Sequence, residues 1–384
     1  MGDEAIPFGR PMLDNTEIEA VTRVLSGNTL VHGPVTHEFE RCFAARAGAA
    51  YAVSVSSCTA GLHLSLYSLG VGRGDRVVVP AMTHVATAHA AEFCGAEPLF
   101  VDVDPTSGNL DPRALGGTDL TDVRVVMLVH FLGLPCDMDR ISPIAQKSGA
   151  TIVEDCAIAI DARYGETKVG TLGATGCFSF YPIKHMTTIE GGMVTTNDER
   201  LAQAIAQRKA FGYDRTVDKR TQPGIYDVTA LGYNYRMNEV QAAVGLAQLG
   251  KLDAFQKIRA ANYTYLKQAM SDIEEITIFE PRQGKAQSTH YCLNAVLPKD
   301  RSLDRNKIVE TLRALGIGTS VHYPRAVPLM AYYRHKYGHK EGQFPVAEWL
   351  ADQSISLPVG PHLNIDHMER IAKSMRQAIA TAQS

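Results

Sequence analysis

Lys184 is the side chain with the most chemistry to offer. It follows the apolar run Cys177-Phe178-Ser179-Phe180-Tyr181 and a proline. A lysine at the end of a buried strand can be desolvated, which lowers its pKa and frees the amine to attack carbonyl carbon. An ordinary loop lysine facing solvent would fit the same stretch. Asp155 stands 29 residues upstream, directly after the apolar Thr151–Glu154. A carboxylate there is costly to bury unless a cation faces it; a helix N-cap is the plainer account. The turn Ser56-Ser57-Cys58-Thr59-Ala60-Gly61 lies between a strand and a helix. Small residues there let backbone N–H groups approach an anion at a helix N-terminus, and the hydroxyls of Ser57 and Thr59 could add donors. A simple capped turn is again the alternative. Two glycines, Gly191 and Gly192, precede the next strand and imply close backbone packing around the lysine loop. The loop Gly232-Tyr233-Asn234-Tyr235-Arg236 is polar and aromatic and feeds a helix, for which capping is a sufficient reason.

Together, a lysine, a carboxylate one structural unit away and an anion-binding turn match the needs of pyridoxal 5'-phosphate. That cofactor requires a lysine for its aldehyde, a carboxylate for its pyridine nitrogen and a cradle for its phosphate. Competing motifs are missing. No Gly-x-Gly-x-x-Gly opens a helix, and Gly70-Val71-Gly72-Arg73-Gly74 has the wrong spacing. Gly284-Lys285 is followed by Ala286, which rules out a Walker A loop, and His37-Glu38-Phe39-Glu40-Arg41 lacks the second histidine of a zinc protease. The thirteen histidines show no ligand spacing, so no metal is expected.

The elements that must position these residues read as alternating strands and helices. Strands are predicted at 51–57, 76–80, 98–102, 124–130, 151–154, 177–181 and 193–196. Several are continuous apolar runs, as in strands covered on both faces. Between them, Leu62, Leu66 and Leu69 recur with helical spacing, and the alanine-rich His84–Cys94 reads as a second helix. The pattern predicts an α/β fold with a mainly parallel seven-stranded sheet and ligands at the carboxyl ends of its strands. After about residue 235 a long helix is predicted over 238–271. A small α+β region follows, with strands at 291–297 and 319–323, a helix at 305–315 and a closing helix capped by Asp366. The expected division is a large domain over 1–250 and a small C-terminal domain over 251–384.

Composition narrows the function further. Of the 384 residues, 45% are hydrophobic and 21% charged, a globular balance. Thirty-eight basic against 41 acidic residues give a net charge of −3, without the basic excess of a nucleic-acid binder. The N-terminal stretch Met1–Pro7 is polar and acidic, unlike a secretory signal. No apolar run nears the roughly 20 residues needed to span a bilayer. Seven widely spaced cysteines without a Cys-x-x-Cys pair suit a reducing cytoplasm better than a disulfide framework.

The chain resembles the DegT/DnrJ/EryC1/StrS family of sugar aminotransferases, within the fold-type I pyridoxal-phosphate enzymes. The likeness runs nearly end to end. It is carried by Ile6-Pro7-Phe8-Gly9-Arg10-Pro11, the Ser-x-Thr-Ala turn, Val79-Pro80-Ala81-Met82-Thr83-His84-Val85-Ala86-Thr87 and Val101-Asp102-Val103-Asp104. Glu154-Asp155, Ser179-Phe180-Tyr181-Pro182-Ile183-Lys184, Glu190-Gly191-Gly192, the Gly-Tyr-Asn-Tyr-Arg loop and Val321-His322-Tyr323-Pro324 extend it. The resemblance implies that Lys184 carries the cofactor and shuttles the proton and that Asp155 pairs with the pyridine nitrogen. Ser57, Thr59, Ala60 and Ser179 would surround the phosphate, and His84 would stack on the ring. Asn234 would reach the phosphate of a partner subunit, making a homodimer with shared sites. His185, His322 and Tyr323 are candidates for the substrate side. The implied reaction converts a keto-sugar, usually nucleotide-linked, into an amino sugar with L-glutamate as donor.

Two departures stand out. Ile158 replaces the usual glutamine three residues after the aspartate, and Cys58 replaces a glycine in the turn. The first alters the pocket wall and leaves room for a small phosphorylated ketone or a cyclitol ketone as acceptor. A sugar dehydratase, which would carry histidine in place of Lys184, and a non-catalytic cofactor-binding regulator are the remaining alternatives.

Overall fold

The computed structural model describes residues 5–214, 222 and 225–383; Met1–Glu4 of the acidic N-terminal stretch lie outside them. Seven strands form the central sheet: β1 (Tyr51–Val55), β2 (Arg76–Pro80), β3 (Glu97–Val101), β4 (Val123–Val129), β5 (Thr151–Asp155), β6 (Thr175–Ser179) and β7 (Gly192–Thr196). Their order across the sheet is β1-β7-β6-β5-β4-β2-β3. Neighbours from β6 to β3 run parallel, whereas β7 is antiparallel to both β6 and β1. Within β4 only Arg124 is exposed, and β6 and β7 are buried throughout. Burial on both faces is why these strands read as continuous apolar runs rather than alternating ones.

Helices Cys58–Ser68 and Val85–Phe93 follow β1 and β2 directly. The first is buried from Ala60 to Leu66. A side chain on its Gly61 would stand 2.9 Å from Val194 on β7, so the helix lies close on the sheet. The long helix Glu239–Ala269 opens with Asn238, whose side chain accepts from the Gln241 N–H while Gln241 answers at the Asn238 N–H. This reciprocal cap fixes its start. Its last turns contribute Tyr263 and Leu266 to a second apolar cluster with Leu293, Ile308, Leu357 and Met375.

That cluster underlies a three-stranded antiparallel sheet of β8 (Thr277–Ile278), β9 (Leu293–Val296) and β10 (Ser354–Leu357), covered by the helices Arg305–Ala314 and Ile365–Gln383. Ile6 packs into the same cluster and bridges to Ile317. Two sequence expectations need correction here. No strand forms over 319–323: Ser320 makes one bridge, to Ser356, and Pro324 bars the backbone from continuing the ladder. The third strand of the sheet is β10, beside which this segment lies. The closing helix starts at Ile365, and Asn364 caps it by accepting from the His367 N–H. Asp366 lies in its first turn instead. Among the described residues, no helix is long and apolar enough to cross a membrane.

Candidate active site

The carboxyl ends of the parallel strands gather along one rim of the sheet, and Asp155 and the Ser57 turn lie there, with Lys184 a few residues beyond β6. Asp155 is the last residue of β5 and only 5% exposed. Its neighbour Glu154 faces the opposite side, as successive strand residues must. There the Glu154 carboxylate accepts the N–H groups of Gly170, Leu172 and Gly173 and contacts His130 at 2.9 Å. Glu154 is thereby a scaffold residue, whereas Asp155 turns to the rim. Asp155 Oδ1 accepts the Ala157 N–H at 3.0 Å, and Oδ2 accepts the Thr87 hydroxyl at 2.9 Å. The segment after it is turns, not helix, so Asp155 is no helix cap.

Lys184 ends the turn that follows β6, its N–H bonded to the Tyr181 carbonyl. Its ammonium sits 5.4 Å from the centre of the Tyr291 ring. Among the described residues, no carboxylate lies within ion-pair distance of it. Burial lowers its pKa below the ordinary 10.5, with Asp155 and two neighbouring thiols opposing the shift. The side chain is half-buried, so the amine is neither locked in a salt bridge nor free in water.

The turn after β1 is held from behind by β7. Gly192 pairs with Val55 on one side and Ser179 on the other. A methyl group on Gly192 would stand 2.5 Å from the Ser57 carbonyl carbon and 2.6 Å from the Cys58 nitrogen. Only glycine permits this approach. Ser57 caps the helix with its hydroxyl, which accepts the Ala60 N–H at 3.1 Å. Ala60 N–H, one of the expected phosphate donors, is therefore spent within the turn. Cys58 and Thr59 are the two helical residues ahead of it, where N–H groups lack intrahelical partners. Ser179, from the neighbouring strand end, is 9% exposed. A cradle of this shape, beside an unpaired lysine and a buried carboxylate with one side open to the rim, fits pyridoxal phosphate.

The remaining candidates separate into two groups. His84, Tyr323 and His322 join the rim. His84 is an exposed N-cap whose Nδ1 accepts the Ala86 N–H, not an interior histidine. Partial desolvation and the Lys184 charge lower its pKa. Its ring meets Tyr323 edge-on at 5.8 Å. His322 is buried, bonded to the Ser356 hydroxyl at 2.9 Å, and desolvation pushes its pKa down to about 3. Burial raises the Tyr323 hydroxyl well above its usual pKa, so both groups are neutral.

His185 and Asn234 are placed differently. His185 is 2% exposed and packs inward against Tyr291, with Nε2 3.4 Å from the Thr289 carbonyl. Asn234 is exposed, in a loop fastened by the Tyr235 carbonyl to the Ser56 N–H at 2.8 Å. Ile158 is buried, 3% exposed, in the apolar cluster that includes Phe131 and Tyr291. Tyr291 and Thr87 stand beside Lys184 and Asp155 as well. Tyr291 opens a predicted strand and carries no local signal; Thr87 lies one helical turn beyond His84, a spacing that does place it on the same face.

Comparison with known proteins gives the family. Residues 11–376 match the pattern of the DegT/DnrJ/EryC1/StrS aminotransferase family. The chain is 35% identical to the spore coat polysaccharide biosynthesis protein SpsC of Bacillus subtilis, over 98% of both chains. Among solved structures, S. venezuelae DesV, captured in complex with a ketimine intermediate, is 31% identical with a TM-score of 0.87, over 97% of this chain and 98% of its own. DesI, solved in the presence of its TDP-sugar product, is 29% identical with a TM-score of 0.89, over 99% of this chain and 94% of its own.

Proposed function

Because the chain belongs to the DegT/DnrJ/EryC1/StrS aminotransferase family, whose members depend on pyridoxal phosphate, we propose that it aminates a nucleotide-linked keto-sugar with L-glutamate as donor. The observation that carries this reading is the unpaired, partly desolvated Lys184 amine on the same strand rim as the buried Asp155 carboxylate. The nucleotide link is supported by the TDP-sugar product with which DesI was solved.

When bound, the cofactor supplies an electron-withdrawing ring that acidifies the C–H bond beside the amino nitrogen. The residues of this chain do the rest. Lys184 would hold the aldehyde carbon and then move the proton as general base and acid. Asp155 would keep the ring nitrogen protonated through a charge-assisted bond. Thr59, Ser179 and the first N–H groups of the Cys58–Ser68 helix would bind the phosphate, and Ser57 would hold that turn in shape. His84 would pack on the ring face. His322 and Tyr323, both uncharged, would bound the substrate side without competing for its charges, and His185 would support them from within. Ile158 would give the pocket an apolar wall.

Asn234 of a second copy would complete each site, so the working unit would be a homodimer. The large and small domains would meet near residue 250, inside the long helix. All seven cysteines are free thiols, as suits an enzyme of the reducing cytoplasm.

The test is spectroscopic first. Protein reconstituted with pyridoxal phosphate should lose its Schiff-base absorbance on adding L-glutamate and release 2-oxoglutarate. The reloaded protein should then transfer nitrogen to a keto-sugar nucleotide from a panel that also contains cyclitol ketones and small phosphorylated ketones. No spectral response to any amino acid would reduce the chain to a cofactor-binding regulator. Transfer confined to the non-sugar ketones would overturn the proposed acceptor alone.

A further inference from the structure

Resting on the pyridoxal-phosphate reading above, we infer that Thr87 is a positioning residue, holding the Asp155 carboxylate through a hydroxyl relay that begins at Thr83. Both threonines are fully buried, at 0% exposure. The Thr87 hydroxyl lies 2.9 Å from Asp155 Oδ2, and the Thr83 hydroxyl lies 2.8 Å from that of Thr87. An ionised carboxylate only accepts hydrogen bonds. The single Thr87 proton therefore points at Asp155, and Thr87 oxygen must accept from Thr83. The direction of the chain is set: Thr83 to Thr87 to Asp155.

This relay does two things for the carboxylate. It pins Oδ2 from the helix that follows β2, while the Ala157 N–H pins Oδ1 from the turn that follows β5. Rotating the carboxylate would break both bonds, so its plane is fixed by two separate elements. It also places a hydroxyl donor on Oδ2 from inside the fold, which leaves the remaining lone pairs of the carboxylate to face a protonated ring nitrogen. Cys58 Sγ, 3.9 Å from Oδ1, is too weak a donor to take over this work. Thr87 also shares one helical turn with His84. His84, which would pack on the ring face, and the support of the Asp155 carboxylate are thus carried by one rigid element. Thr87 is wholly enclosed and acts through Asp155.

The experiment compares Thr87→Val, which keeps the shape and removes the hydroxyl, with Thr87→Ser, which keeps the hydroxyl. Each variant is reconstituted with pyridoxal phosphate labelled with nitrogen-15 in the ring. Its Kd and the pH at which the ring nitrogen loses its proton are read by absorbance and by nitrogen-15 NMR. Thr87→Val should weaken binding about tenfold, the size of one bond to a charged group, and lower the ring-nitrogen pKa by about one unit. Thr87→Ser should restore both to within about twofold. In an Asp155→Asn background, Thr87→Val should change neither further, because the two act as one unit. An unmoved ring-nitrogen titration in Thr87→Val, equal losses in the Val and Ser variants, or losses that multiply independently of Asp155 would each overturn the relay. If Thr87→Val does not fold, Thr83→Val takes its place: a smaller shift in the same direction supports the relay and no shift overturns it. A wild-type protein with no Schiff-base band would instead sink the cofactor reading itself, a failure distinct from that of the relay.

Discussion

Gly192 lies so close behind Ser57 that a single methyl group on its α-carbon would stand 2.5 Å from the Ser57 carbonyl carbon. The contact is backbone against backbone, so no side chain can rotate to relieve it. Gly192→Ala should push the Ser57–Ala60 turn outward while leaving the strand pairing intact. Overpacking of this kind costs about 1–3 kcal/mol, and part of that should appear as lost cofactor affinity. Titration with pyridoxal phosphate and with free phosphate measures it. Unchanged affinity for both would mean that this turn holds no phosphate.

Lys184→Ala should lower the transamination rate by at least about 10²–10⁴-fold, the usual worth of a positioned acid–base group. Noncovalent pyridoxal phosphate should still bind. Since burial lowers the Lys184 pKa, the apo-protein should capture the aldehyde with a pH midpoint below the 10.5 of an ordinary lysine. Stopped-flow absorbance across pH reads that midpoint. A value at or above 10.5 would show that burial does not govern the amine.

Asn234 tests whether sites are shared between two copies. Asn234→Ala should weaken cofactor binding by about 1.5–3 kcal/mol, the worth of one bond to a charged group. Chains carrying Lys184→Ala, mixed with chains carrying a disruptive Asn234 substitution, should recover part of the activity on subunit exchange. In the heterodimer both lesions fall in one pocket and leave the other whole. Confirmed exchange with no recovered activity would refute the shared site.

Desolvated histidines add to the acid response. Desolvation lowers the pKa of His63 and His290 to about 4 and that of His322 to about 3. Unfolded, each would titrate near 6.5. Below that pH the unfolded chain binds protons that the native chain refuses, so stability should fall as the pH drops from about 6.5 towards 4. Chemical denaturation at pH 7, 6 and 5 follows it directly. A midpoint that stays flat or rises over that range would contradict the burial of these rings. His322→Gln should flatten part of the slope.

The order of strands and helices was legible because burial leaves a mark on sequence. Several strands of the large sheet, β4 (Val123–Val129) most plainly, read as apolar runs because both of their faces are covered. Glycine and proline punctuated them at Gly95, Pro182 and Gly192. The long helix was readable from Asn238, whose cap is local in sequence. Strand 319–323 was misplaced because Val321-His322-Tyr323 has β-forming residues, yet whether they pair depends on Ser356, more than thirty residues away. Lys184 and Asp155 could be singled out for a similar reason: each interrupts or ends an apolar run, where a charge is costly.

Local burial and capping act within a few residues, so the set of elements and the charged residues stranded at their ends could be read along the chain. Which way those residues face, and what meets them, came from long-range packing. Glu154 and Asp155 are adjacent acids; the pleat sends one into a cage of backbone N–H groups and the other to the rim. Glu239 looks like a first-turn helix residue, yet its carboxylate caps another helix by accepting from Gly33, Val35 and Thr36. Thr87 meets Asp155 across 68 residues of chain. Such contacts depend on β2 and β5 being brought near one another through β4 in the sheet, a fact of strand order that no local pattern encodes.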